Sequence, residues 1–180
     1  MNDLKCPYCG QEMIRVSKDA LTTGKYVCET CGKRFGLKSN EAMNDCDTFY
    51  FTMGGFHQGF KSILIEERDS YADITLTPSL AVSDKAIHLR ITLNEWQNIK
   101  DTLFQELFVL SWDEEYYDPY ILDGTQWELK LTFDSRRDFE ISGSNVFPKL
   151  FDDLLNYLKI YFEQVELKEN NLTFIEHYRR

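Results

Sequence analysis

Two C-x-x-C-G segments, Cys6-Pro7-Tyr8-Cys9-Gly10 and Cys28-Glu29-Thr30-Cys31-Gly32, constrain this chain more than any other feature. Each can form a tight turn in which backbone N–H groups point at the first sulfur. The following Gly supplies the left-handed conformation that such a turn needs. Eighteen residues separate Cys9 from Cys28, within the gap of about 15–20 expected between the two halves of a four-cysteine zinc site. Two such turns bring four thiolates into a tetrahedron, which suits Zn2+, and a closed set of four sulfurs leaves no position for water or substrate. The expected cofactor is therefore one structural zinc ion. Between the knuckles, residues 13–16 and 25–27 read as short strands around a turn at Thr22-Thr23-Gly24, and residues 33–35 as a third strand.

This segment resembles the zinc-ribbon family over residues 4–38, in which a metal-tied hairpin carries little core of its own. The resemblance implies Cys6, Cys9, Cys28 and Cys31 as the ligands. A rubredoxin-like iron site uses similar knuckles, usually with a longer gap between them. The fifth cysteine, Cys46, lies outside both knuckles and reads as a buried or linker thiol. An odd cysteine count with this spacing fits a metal site in a reducing compartment better than a disulfide framework. The start of the chain has no apolar leader, and the longest apolar runs, such as residues 107–110, fall far short of the roughly 20 residues that span a bilayer. The expectation is a cytoplasmic protein with no membrane association.

The charge is divided unevenly. Residues 1–40 hold seven basic and four acidic residues, a formal +3, while the rest of the chain carries −13 of the total −10. Residues 39–47 are polar and rich in turn formers, and read as a linker. The expected organisation is a zinc ribbon over 1–38, this linker, and an α+β body over 48–180 of ordinary domain size. With 43% hydrophobic residues and 14% aromatics, the chain has ample material for a core and is not mainly disordered. The acidic balance argues against wholesale wrapping of nucleic acid.

Within the body, Leu93, Trp96, Ile99, Leu103, Phe104, Leu107 and Leu110 recur at helical steps, with Thr92 and Glu95 as a capping box. A second helical pattern runs from Phe147 to Phe162, capped by Ser144 or Asn145 and with Pro148 in its first turn. Alternation at residues 73–77, 87–91, 127–133 and 139–141 marks strands with one wet face, and residues 49–53 and 61–66 read as further strands. The expectation is an antiparallel sheet with two amphipathic helices packed on one face.

No catalytic set stands out. The three histidines, His57, His88 and His177, are scattered, and the Gly-rich stretch at 54–59 lacks a phosphate-loop ending. Trp112, Asp113, Glu114, Glu115, Tyr116 and Tyr117 combine carboxylates with aromatics and read as a surface for a basic partner, or as a connecting loop anchored by its aromatics. Glu128 and Lys130 share one strand face, the pattern of metal-dependent nucleases when Asp118 or Asp123 joins them, and equally what solubility alone produces. The segments 123–127 and 143–148 are similar to a pattern in uncharacterised bacterial proteins with no settled activity. Both also read simply as a turn before a strand and a strand-to-helix corner.

The leading expectation is a non-enzymatic zinc-binding interaction protein whose acidic body binds a protein partner, in the manner of an immunity protein or antitoxin. Nucleic-acid contact through the ribbon is the alternative, using Arg15, Lys18, Lys25, Lys33, Arg34 and Lys38, with Tyr26 and Phe35 available for stacking. A metal-dependent nuclease built on Glu128 and Lys130 is the third reading.

Overall fold

A computed structural model describes residues 5–6, 9–15, 26–35, 37–55, 59–77, 86–121 and 124–169. The N-terminal module contributes three two-residue strands, β1 (Ile14–Arg15), β2 (Tyr26–Val27) and β3 (Arg34–Phe35), paired antiparallel in that order. Then follow α1 (Leu37–Asp45), β4 (Cys46–Gly55), β5 (Gly59–Glu67), β6 (Ala72–Thr77), β7 (Ile87–Ile91), α2 (Leu93–Asp101), β8 (Glu115–Tyr117), β9 (Gln126–Phe133), β10 (Phe139–Ser144) and α3 (Phe151–Glu169).

Strands β4 to β10 form one seven-stranded sheet in the order β7-β6-β5-β4-β9-β10-β8. The sheet is mixed, not antiparallel throughout, because β8 runs parallel to β10. The cause is the path of the chain. Leaving β7 at one edge, it crosses through α2 to lay β8 at the far edge; β9 then pairs with β4, and β10, antiparallel to β9, fills the gap running the same way as β8. Strand β8 has only three residues, too few to show a period in sequence.

Alternation makes the sheet one-sided. Phe49, Phe51, Ile63, Ile65, Ile74, Leu76, Leu129 and Leu131 are fully buried and share one core with α1, α2 and α3. Tyr50, Thr75, Glu128 and Lys130 occupy the other face. The segment read as a linker is mostly the helix α1, whose described side chains give the core Ala42, 1% exposed, and the partly buried Met43. The helix ends on Asp45, whose carboxylate accepts hydrogen bonds from the Ser135 hydroxyl at 2.6 Å and Arg136 Nε at 2.8 Å on the β9–β10 turn. These partners, Ser135 first, hold its carboxyl below the ordinary carboxylate range.

Both expected helices are present with altered ends. The capping box of α2 forms as the sequence predicts, with Glu95 N–H donating to Thr92 Oγ1 at 3.2 Å and Thr92 N–H to Glu95 Oε2 at 2.8 Å. The α-helical pattern does not run on to Leu110. It widens into a π-turn at Thr102–Glu106, where Leu103 and Phe104 stay buried. Phe108 then adopts a left-handed conformation, φ 50°, before a 3-10 turn at Val109–Ser111. Helix α3 starts at Phe151, with Pro148 in the preceding turn, its carbonyl accepting from Phe151 N–H at 3.1 Å. Neither Ser144, the last residue of β10, nor Asn145, whose Oδ1 accepts from Thr125 N–H at 2.9 Å, caps this helix, because it begins well beyond them at Phe151.

The aromatic centre of the core is Trp127. Its ring packs 4.7 Å from Phe151 and 6.5 Å edge-on to Trp112, and its indole N–H donates to Val146 O at 2.9 Å. It lies across the cross-strand neighbour Gly143, where any Cβ would fall on the indole ring. Gly143→Ala is therefore expected to destabilise the fold by about 1–3 kcal/mol through overpacking. A denaturant midpoint equal to that of the unsubstituted chain would remove Gly143 from this role.

Candidate metal centre

The two knuckles are built alike. Gly10 N–H donates to Cys6 O at 2.8 Å, and Gly32 N–H to Cys28 O at 2.7 Å. The next contacts repeat as well, with Cys6 N–H on Gln11 O at 2.7 Å and Cys28 N–H on Lys33 O at 2.9 Å. Gly10 and Gly32 both have φ +73°, yet a Cβ at either would meet open space. Backbone conformation, not crowding, makes glycine necessary at both positions.

These turns bring the sulfurs of Cys6, Cys9, Cys28 and Cys31 all within 4.8 Å of one another. Cys6 Sγ lies 3.6 Å from Cys31 Sγ, and Cys9 Sγ 3.3 Å from Cys28 Sγ. A disulfide requires about 2.05 Å, so these are four free thiols. A tetrahedron with metal–sulfur bonds of about 2.3 Å has edges near 3.8 Å, close to the spacing found. The four residues can hold one metal ion. Among the described residues they are the one such group of three or more His, Cys, Asp or Glu side chains.

Electrostatics point the same way. The Cys28 thiol is pulled down to about 6, first by the backbone N–H of Cys31 and with help from that of Thr30. The Gln11 N–H favours the Cys9 thiolate, but the crowding by Cys28 and the other sulfurs wins and pushes Cys9 up to about 12. Without a cation the cluster does not hold four negative charges. A bound metal removes that repulsion and holds all four as thiolates.

The module is seated on the body. Phe108 packs against the Cys6–Cys28 pair together with Met13, presented there by its left-handed backbone. Lys33 Nζ donates to Ser111 O at 3.0 Å and pairs with Asp113 Oδ1 at 3.2 Å. The periodic pattern of the helix passes over Phe108, and that mismatch is the sequence signal for its separate role. An apolar aromatic next to Leu107 falls off the buried stripe and needs another partner.

The other candidate residues are dispersed. Trp112 belongs to the core, 4% exposed, with its indole N–H on Leu107 O at 3.0 Å. Tyr116 turns inward to Trp127 at 5.6 Å, and its hydroxyl accepts from Asp113 N–H at 2.9 Å. Both anchor the turn from the inside. Glu114, Glu115 and Tyr117 are exposed. Lys130 is clasped by Glu140 at 2.6 Å and Asp138 at 3.4 Å, and Asp118 accepts from Tyr120 N–H at 2.9 Å. Among the described residues Glu128 belongs to no set of three or more His, Cys, Asp or Glu side chains close enough to share a metal ion. Asp123, His57 and His177 lie outside the described residues, as do Lys18, Lys25 and the side chains of Arg15, Tyr26, Arg34, Phe35 and Lys38. Cys46 is buried far from the knuckles in the main core, and burial pushes its thiol up to about 12.

Compared with protein-family models, curated proteins and solved structures, the chain matches none at significant similarity. Among the described residues no helix is long and apolar enough to cross a membrane.

Loss of the Phe108 ring should loosen the site. Phe108→Ala is expected to weaken metal retention about tenfold, or about 1.4 kcal/mol, read as a lower chelator concentration at half-release. An unchanged midpoint would contradict the seating described here.

Proposed function

We propose that the N-terminal module is a zinc ribbon with one structural Zn2+, and that the chain is a non-enzymatic interaction protein whose acidic body binds a protein partner with a basic surface. The observation that carries this reading is the closed set of four sulfurs seated on Phe108. With every coordination position occupied by sulfur, the metal holds structure and has no site for substrate. The eighteen residues between the knuckles favour zinc, because a rubredoxin-like iron site usually has a longer gap.

The body supplies the interaction. Residues 41–180 carry the −13 excess, which steers a basic partner and repels nucleic acid. Lys33, one of the cations on which a nucleic-acid reading relies, is spent on Ser111 and Asp113. The nuclease reading loses Lys130 to Glu140 and Asp138 in the same way. An immunity- or antitoxin-like masking role is one form the proposed activity takes.

Affinity capture with the full chain from its native cell, after nuclease treatment, tests this. The expected result is a basic protein retained at about 50 mM salt and released near 0.5 M, where the screening length is only a few ångströms. Capture that disappears with the nuclease treatment, or that salt leaves untouched, would overturn the reading.

A further inference from the structure

The face of the sheet turned away from the helices is not uniform. At the β8 end, the register sets Thr52, Glu128, Ser142 and Glu115 side by side across β4, β9, β10 and β8. The neighbouring row on the same face runs Phe60, Gly54, Gln126, Ser144, Tyr117. Thr52, Gly54, Ser142 and Ser144 in these rows are small or short, while Phe60 stands at one end and Tyr117, with Ile121, at the other. The result is a trough of about 500 Å3. A second cleft of about 650 Å3 shares Glu115, Glu128 and Ser142 with it and continues past Glu140, ending beside Arg137.

Its chemistry selects one kind of occupant. Tyr117 is 64% exposed and Ile121 41% exposed, apolar surface placed directly beside carboxylates. Glu115 and Glu128 form no ion pair among the described residues, since the nearby Lys130 is held by Glu140 and Asp138. The two carboxylates stand two strands apart, roughly 10 Å at the ordinary strand spacing. That is too far to share a metal ion and well suited to two separate cationic side chains. A nucleic acid would be repelled. An extended peptide projects the side chains of one face about 7 Å apart, so long Lys or Arg side chains at two such positions reach both carboxylates while apolar side chains at flanking positions of the same face lie on the aromatic walls.

We propose that this trough binds an extended segment of a partner protein bearing Lys or Arg, with the cations at Glu115 and Glu128 and the apolar side chains against Phe60 and Tyr117. The proposal rests on the interaction reading above and names the surface that would carry it. Sequence pattern alone pointed to the turn at 112–117; only the pairing of β8 with β10 joins its Glu115 and Tyr117 to Glu128 and Phe60, which are distant in sequence.

The test uses the full metal-loaded chain and a fluorescein-labelled, acetylated peptide with Leu, Arg, Arg and Leu at every second position and Ser between them, followed by anisotropy at about 50 mM salt. Glu115→Gln with Glu128→Gln is expected to raise Kd at least about tenfold, and Tyr117→Ala about threefold or more. Asp69→Asn with Asp134→Asn removes the same charge from exposed turns elsewhere, and should change Kd by less than about twofold. Equal losses in the two double variants would overturn the trough while leaving a generally acidic, peptide-binding body in place. The same holds if neither changes. Spermidine displacing the peptide at equal concentration, with no effect of Tyr117→Ala, would also overturn it, because the aromatic walls would then contribute nothing. No binding by the unsubstituted chain would count against both the trough and the interaction reading.

Discussion

A sheet that is apolar on one face only has one side to be covered and one to be wet, and the other features of this chain follow from that division. Phe49, Phe51, Leu129 and Leu131 fix the covered side. The helices lie there, and the segment between α2 and β8 must cross it to reach the far edge. In crossing it widens into a π-turn, reverses at Phe108 and sends Trp112 down to Trp127. Phe108 is left pointing away from that core, and the two buried knuckle cysteines supply its second apolar environment.

The four-cysteine module packs on the body as well as being joined to it through the chain. It is held at Phe108 and Lys33, and it joins the sheet through α1, whose final carboxylate is fixed by Ser135 and Arg136. One short segment, residues 108–117, carries both the seat of the module and the inward anchors Trp112 and Tyr116. On the wet side the small residues at Gly54, Thr52, Ser142 and Ser144 leave room where the edge strand brings its acid and its aromatic.

Much of this was legible in the sequence wherever a local rule sufficed. The cysteine spacing announced four converging sulfurs, Thr92 and Glu95 announced a helix start, and alternation announced the long strands. What escaped had no local signature. A three-residue strand shows no period, a short polar helix such as α1 looks like a linker, and a π-turn keeps the apolar spacing of an ordinary helix. The trough was illegible for a different reason. Glu115 and Glu128 become neighbours only through the strand order, which no local pattern specifies.

The claim at the centre of this account is that four thiolates enclose one structural ion. Native mass spectrometry of the purified full chain, with X-ray absorption at the metal edge, measures it directly. The account predicts one zinc per chain with four sulfur neighbours at about 2.3 Å. A metal-free chain with a disulfide within the cluster, or a metal carrying oxygen or nitrogen ligands, would contradict it.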